Sequence, residues 1–566
     1  MDSRSLFGAL ALLTLLGCSG PKPIFEDVAP ETGLDWSHVN GMSGKFYIAE
    51  IMGSGSALFD YDGDGDLDIF LVQGAIPEPD RAELPTPAQP LTDRLFRNDL
   101  ITQGARQAVL SFTDVTQESG IRGSGYGMGV TAGDYDGDGD VDLYVTNLGP
   151  NQLWRNNGDG TFTEVAEAAG AGDDRWSVSA AFTDVDHDGL LDLYIGNYLD
   201  FTWATNKVCF NAIPNYCNPL AYPTQPDRLL RNRGDGTFED ITQKAGMAEH
   251  RGAALGIVAA DLNGDRATDL YVANDGEANF LWINQGDGTF RENALLSGAA
   301  LNGMGEPEAS MGIDAGDFDG DGDLDLFMTH LAGESNTLYV NNGKGFFEDR
   351  ANQSGLAGPS QAFTGFGTAW FDYDNDGWLD LLAVNGAVQN VRELLEAGDP
   401  YPLHQPNQLF HNLGDGRFAE VTQAAGRVFT RSLVSRGSAF GDVDNDGDTD
   451  VLITNNNGPV ELLLNQIGNR AHWLGVALKL RSEGAWVSGA TVRLEKADGR
   501  ILWRRARIEA SYASANDPRV LFGLGNDPNV VKISVVWPDG NEEVWTGLQI
   551  DRWHTLIRGQ GSAHPN

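Results

Sequence analysis

A chain of 566 residues with 38 Lys plus Arg against 81 Asp plus Glu carries a formal charge of −43 at pH 7. That charge repels phosphate backbones and anionic headgroups and excludes nucleic acid as a partner. The 41% apolar content excludes a disordered chain, and 31 of the 81 acids fall in seven short loops, a clustering that calls for a counter-ion.

The first element is a leader. After Arg4, residues 6–17 (LFGALALLTLLG) form an apolar run too short to span a bilayer and of the length of a secretory signal core. Leu15-Leu16-Gly17-Cys18 resembles the bacterial lipobox, whose cysteine is diacylated and becomes the new N-terminus after cleavage. Cysteine usage agrees, because Cys209 and Cys217 lie eight apart and can close one local disulfide in an oxidising compartment, leaving Cys18 over. Residues 1–17 are therefore expected to be a lipoprotein signal peptide and 18–23 a lipidated tether holding a water-soluble protein on a membrane. Ser19 resembles the outer-membrane class, which predicts a bacterial cell-envelope location.

The stretch FDYDGDGDLDIF at 59–70 opens a pattern that recurs every 50 to 77 residues, the sign of a repeat architecture. The seven loops contain Asp60, Asp62, Asp64, Asp66 and Asp68; Asp134, Asp136, Asp138, Asp140 and Asp142; Asp184, Asp186, Asp188, Leu190 and Asp192. Further along come Asp261, Asn263, Asp265, Ala267 and Asp269; Asp317, Asp319, Asp321, Asp323 and Asp325. The last two hold Asp372, Asp374, Asp376, Trp378 and Asp380, then Asp442, Asp444, Asp446, Asp448 and Asp450. Each reads D-x-[DN]-x-D-x-x-x-D, so positions 1, 3, 5 and 9 offer side-chain oxygens and position 7 a backbone carbonyl. Oxygen-only ligands at this density suit Ca²⁺ ahead of Mg²⁺ and well ahead of Zn²⁺. One such turn is more often a solvated loop; seven with a single spacing predict up to seven structural calcium ions.

These are not EF-hands, which need a glutamate at position 12, filled here by Leu71, Val145, Ile195, Val272, Met328, Ala383 and Ile453. The segments leaving the loops, such as LDIFLVQ and VDLYVTN, are rich in β-branched and aromatic residues and predict strands. Position 6 is glycine in six loops, as a sharp turn through φ > 0 requires. The fourth loop departs, with Arg266 at that position and Asn263 in place of a carboxylate. It is expected to be the weakest site.

Between the loops, LWRNNGDGTFTEV (153–165), LLRNRGDGTFEDI (229–241), LWINQGDGTF (281–290), LYVNNGKGFFED (338–349) and LFHNLGDGRFAEV (409–421) read as β-hairpins. Small-residue stretches before each loop suit strands crowded against an axis. Each repeat is then a four-stranded antiparallel meander, and seven predict an all-β, seven-bladed β-propeller with calcium loops over 24–466. IFEDVAPETG at 24–33 supplies the outer strand that ELLLNQ at 461–466 lacks, so the N-terminus is expected to complete the last blade. Asp-Gly turns at 498–499 and 539–540 predict a small β-domain over 467–560, with 561–566 as a tail.

The repeats resemble FG-GAP/VCBS repeats of the kind found in integrin α-subunit propellers. The segments HWLGVALKL, RVLFGLG and VVKISVVWPDGNEEVW resemble the ASPIC/UnbV domain, and the whole chain is similar to bacterial relatives of the cartilage acidic protein family. The resemblance implies a binding or scaffold role rather than an enzymatic one.

Three insertions, at 75–91, 198–226 and 387–406, all join second to third strands and so are expected on the face opposite the calcium loops, where they could build a binding surface. Trp203, Tyr216, Tyr222 and His404 are candidate contacts there, although packing within their own loops explains any one of them. The tether is expected to leave from the calcium face. Arg233-Gly234-Asp235 falls in a turn whose siblings read NGD, QGD and LGD, so repeat grammar accounts for it. No zinc-protease motif, nucleophile elbow or phosphate loop occurs, and no catalytic residue is assigned. Two functions follow: a calcium-stabilised, membrane-anchored protein recognising a protein or glycan, or an extracytoplasmic polysaccharide hydrolase or lyase with acids converging on the insertion face or the axis.

Overall fold

The computed structural model describes residues 22–84, 90–102, 108–123, 125–211, 213–482 and 484–563. The leader, Cys18 and most of the tether lie outside the described residues.

Among these, seven four-stranded antiparallel sheets occupy the repeat region. In the first, Ser56–Phe59 pairs with Asp68–Leu71, then Arg94–Asn98, then Phe112–Asp114. The seventh combines Ser435–Gly441, Asp450–Asn455 and Glu461–Asn465 with Phe25–Asp27 from the N-terminus, Phe25 lying opposite Asn465. The first strands are buried along their whole length because both faces of every sheet are covered. Seven separate apolar cores fill the spaces between sheets. Phe59, Phe70 and Leu143 lie between sheets one and two, and Tyr144, Phe182 and Leu193 between two and three. The series ends with Leu58, Ile69, Leu452 and Leu462, which join sheet seven to sheet one.

Hydrogen bonds repeat the same cyclic order. The third strand of every sheet ends in asparagine, and its side-chain amide donates to the carbonyl at position 2 of the preceding sheet's Asp loop: Asn156 to Tyr61, Asn232 to Tyr135, Asn284 to Val185, Asn341 to Leu262, Asn412 to Phe318 and Asn465 to Tyr373, at 2.7 to 2.9 Å. Asn98 of sheet one closes the series on Val443 of loop seven at 2.9 Å. Each amide also donates to the carbonyl at position 8 of its own loop, as Asn232 does to Leu191 at 2.9 Å. The hairpin motif carrying these asparagines is readable as a turn, but their latching role is not.

Past the repeats, a three-stranded sheet (Val520–Gly525, His472–Lys479, Trp553–Ile557) and a five-stranded sheet (Ile501–Arg505, Thr491–Lys496, Val530–Val536, Glu542–Trp545, Ser562–Ala563) enclose a core of Leu474, Val476, Val492, Phe522, Ile533 and Trp537. The short strand Ser562–Ala563 pairs with Glu543 and Val544 at the edge of this sheet.

Residues 506–519, between two strands of this domain, run in among the first strands of the repeat sheets. Ser511 and Ile313 exchange backbone hydrogen bonds at 2.7 and 3.1 Å, the Ala513 carbonyl accepts from Val130 N–H, and the Ala515 carbonyl accepts from Leu58 N–H. The Ser511 hydroxyl meets that of Ser438 at 2.9 Å. Tyr512 is fully buried, its ring edge-on to Phe366 and its hydroxyl donating to the Met52 carbonyl on the far side. The small residues expected near an axis are therefore explained by a second chain segment: a Cβ on Gly55 would sit 1.7 Å from the Ala513 carbonyl oxygen.

Asn232→Ala removes one latch and leaves two buried carbonyls without that donor, so unfolding in urea with calcium present is expected to show a loss of about 1–3 kcal/mol. Asn157→Ala, at the exposed position after the latch Asn156 of the sheet before, is expected to change stability by less than about 0.5 kcal/mol.

Candidate metal centres

Each Asp loop folds on its own carboxylates. Asp60 at position 1 accepts from Gly63 N–H at 2.8 Å and Gly65 N–H at 3.1 Å, and the first aspartate of every other loop does the same with its own backbone. Position 9 holds the loop to the sheet: Asp68 accepts from Tyr61 N–H and from Asn98 N–H, joining loop and third strand. Position 5 turns one oxygen onto the N–H of position 7 in six loops, from Asp64 to Asp376.

Carboxylates of positions 1, 3 and 9 converge with their oxygens within 4.8 Å of one another in Asp60/Asp62/Asp68, Asp134/Asp136/Asp142, Asp184/Asp186/Asp192 and Asp317/Asp319/Asp325. In loop six, Asp374 and Asp376 gather with His411. Loop five leaves Asp319 Oδ1 and Asp325 Oδ2 buried with no hydrogen-bond partner among the described residues, and loop seven does the same with one oxygen each of Asp444, Asp446 and Asp448. Buried anionic oxygens without donors are costly, and a hard divalent cation satisfies several at once.

Third-strand side chains beside the sites carry no sequence signal of their place there. Arg231 lies 2.7 Å from Asp186 and 3.5 Å from Asp188, and Arg97 and Arg155 occupy the same register in the first two sheets. His411 stands 3.2 Å from Asp380, while sheets four, five and seven have Ile283, Val340 and Leu464 there. A local cation competes with a bound one, so loops five and seven have the least internal compensation. Loop four takes the conformation expected of it, with Arg266 at φ +72° where its six counterparts are glycine.

The C-terminal domain sits on this face. Trp553 Nε1 donates to Asp442 at 2.9 Å, Arg504 to the Gly377 carbonyl, Arg481 to the Gly137 carbonyl and Arg519 to the Asp442 carbonyl. The Asp-loop face is thus covered by protein over loops two, six and seven.

On the opposite face the insertions pack together. Cys209 and Cys217 are disulfide-bonded across a short ribbon, with Cα atoms 4.9 Å apart. Of the four candidate contacts, Tyr216 and Tyr222 are buried rather than exposed: Tyr216 donates to Glu50, and Tyr222 packs edge-on to Phe201. Trp203 is wedged among Tyr47, Tyr126 and Phe201, and His404 faces Asp399 at 3.3 Å. The exposed groups are aliphatic or phenyl: Val208, Ile213, Leu220 at 61% exposure and Phe210 at 72%. Their alternation in a short loop carries no periodic signal, which is why the sequence does not single them out.

Sequence comparison matches an FG-GAP-like repeat model at 60–145, 134–195, 220–272, 261–328, 317–383 and 394–474, and an ASPIC and UnbV model at 482–563. Human cartilage acidic protein 1 is 27% identical over 331 residues, 56% of this chain and 45% of that protein; the Xenopus tropicalis protein is 26% identical over 345 residues, 58% and 49% respectively. The chain spans about half the length of these relatives. Among solved structures, an Agrocybe aegerita lectin specific for non-reducing terminal N-acetylglucosamine aligns at 16% identity over 72% of this chain and 86% of its own, with TM-score 0.37. BBS1N in complex with ARL6DN aligns at 9% identity over 79% and 98%, with TM-score 0.36.

Burial, then repulsion between neighbouring acids, pushes the carboxyls of Asp60 and Asp134 up to about 6, and burial pushes Asp317 to about 6 and Asp325 to about 9 in the metal-free loops. An acid whose folded pKa lies above its unfolded value near 4 binds protons preferentially in the folded state. The metal-free protein therefore loses stability as pH rises from about 4 through these values. A cation replaces those protons, so the calcium-induced rise in Tm is expected to be largest near pH 8 and to shrink toward pH 5, as calorimetry across that range would read. A pH-independent rise would contradict the assignment.

Proposed function

Because the chain belongs to the FG-GAP-like repeat family and carries an ASPIC and UnbV domain behind its repeats, we propose that it is a seven-bladed β-propeller whose Asp loops hold calcium and whose insertion face binds a partner, acting as an extracytoplasmic scaffold rather than an enzyme. The seven sheets, the seven inter-sheet cores and the cyclic asparagine latches support the blade count. The observation that carries calcium is the set of buried, unpartnered carboxylate oxygens in loops five and seven. A protein partner suits the insertion face better than a glycan, because Val208, Phe210, Ile213 and Leu220 are exposed while Tyr216 and Tyr222 offer no free ring face. The axis, one of two places a polysaccharide-cleaving site could occupy, is filled by residues 506–519.

Lipidation at Cys18 and residence in a bacterial envelope complete the proposal, supported by the lipobox-like Leu15 to Cys18 and by the disulfide. Strand Phe25–Asp27 starts beside Asn465, which donates to loop six, so the described chain begins on the Asp-loop side, which favours a tether leaving from that side. The insertions then point away from the membrane.

Calcium removal tests the central claim. Seven sites bound only in the folded state, each contributing about 2.7 kcal/mol at a hundredfold excess over Kd, predict a fall in Tm of roughly 10 °C or more in chelator at pH 7.5. An identical melting curve with and without chelator would sink it.

A further inference from the structure

Loop six differs from its siblings in what stands across from it. Arg97, Arg155 and Arg231 occupy one register of the third strand in sheets one to three, and Arg231 shows where that register points, at Asp186 and Asp188 in positions 3 and 5 of its loop. Sheet six places His411 there. Its Nδ1 lies 3.7 Å from Asp374 Oδ2 at position 3 and 3.2 Å from Asp380 Oδ1 at position 9. That nitrogen is buried and has no hydrogen-bond partner among the described residues, so what it faces is carboxylate oxygen. An arginine at this register is always protonated and can only oppose a bound cation, whereas an imidazole can ligate one.

The converging atoms shift accordingly. In loops one, two, three and five the acids that meet are those of positions 1, 3 and 9, whereas in loop six Asp374, Asp376 and His411 bring one ligand atom each within 4.8 Å of the others. Position 1 is drawn elsewhere, because Asp372 has Arg504 of the C-terminal domain 3.9 Å away. Backbone donors hold the remaining carboxylates: Tyr373 and Asn412 N–H on Asp380, and Trp378 N–H on Asp376. The Tyr373 ring lies edge-on to the imidazole with centroids 5.8 Å apart. Outer contacts of this kind orient metal ligands. One imidazole nitrogen among carboxylate oxygens is a borderline donor set, which suits first-row transition dications better than Ca²⁺, whose sites are built from oxygen alone.

We propose that loop six is a transition-metal site that takes Zn²⁺ in preference to Ca²⁺, with His411 Nδ1 and the carboxylates of Asp374, Asp376 and Asp380 as ligands. The side chains of His411 and Asp374 are 26% and 27% exposed, which leaves the ion a way in from solvent. The assignment rests on the reading of the Asp loops as cation sites and sets one of the seven apart from the rest. A repeated motif thereby acquires a second metal chemistry through one residue outside the motif.

Calorimetric titration of the untagged full-length chain with Zn²⁺, in about 1 mM calcium, tests the assignment. A single zinc equivalent is expected to bind with a micromolar or tighter Kd. His411→Leu supplies the residue that sheet seven has at this register and His411→Arg that of sheets one to three, so both should fold; each is expected to weaken zinc at least tenfold. His472→Ala, in the C-terminal domain, should leave it unchanged. Co²⁺ used as a spectroscopic stand-in is expected to give visible bands more intense than those of the aqueous ion, lost in both His411 variants. Zinc displaced from the wild type by an equal concentration of calcium, or bound equally well by both His411 variants, would overturn the proposal. A calcium titration of the same sample separates the outcomes: calcium filling the other loops with no zinc bound defeats this assignment alone, whereas zinc held with no calcium bound anywhere defeats the calcium reading of the loops.

Discussion

One contact organises the repeat region: the ninth-position aspartate, which accepts the N–H of a third-strand asparagine in all seven loops and is held by its own loop's backbone as well in six of them. Asp68 accepts from Asn98 N–H while the Asn98 side chain reaches Val443 in the seventh loop. A loop is thereby tied to its own sheet and to its neighbour through a single asparagine. Because these donors and acceptors are buried, each must be paired, and the pairing is possible only when neighbouring sheets stand in register. A cation bound at positions 1, 3 and 9 would tighten the same aspartate, which couples ion binding to the seam between sheets rather than to one loop.

Elements with a local period are legible in the sequence. The Asp spacing, the strands beginning on the last aspartate and the hairpin turns all repeat within a dozen residues, and the N-terminal strand belongs to the last sheet because its motif is missing there. The asparagine latch is hidden because its residue already has an explanation in the turn motif and its partner lies 79 to 99 residues away in the six latches along the chain and 345 away in the one that closes it. The axial segment is illegible for a stronger reason. EASYASAND at 509–517 is short, small and polar, and Tyr512 finds its backbone partner 460 residues earlier. The burial of Tyr216 and Tyr222 is equally hidden, because an aromatic in an insertion gives the same sequence signal whether it faces water or a neighbouring insertion.

Charge is distributed unevenly between the two layers. The loops hold most of the clustered acids, and the C-terminal domain answers with Arg481, Arg504, Arg507 and Arg519, of which Arg507 pairs with Asp314 at 2.8 Å. The contacts of Arg504, Arg507 and Arg519, largely shielded from solvent, fix how the domain sits on the repeat sheets. They also distinguish the loops from one another: two, six and seven lie under protein, and a repeated sequence motif acquires unequal surroundings from a single non-repeated domain.

Residues 506–519 behave as a rivet driven between the repeat sheets from the C-terminal domain. Sheet seven combines the N-terminal strand with residues 461–465, and residues 511–517 hydrogen-bond to first strands of sheets one, two, five and seven. Removing the C-terminal domain would therefore strip first strands of sheets one, two and five of backbone hydrogen bonds instead of trimming an appendage.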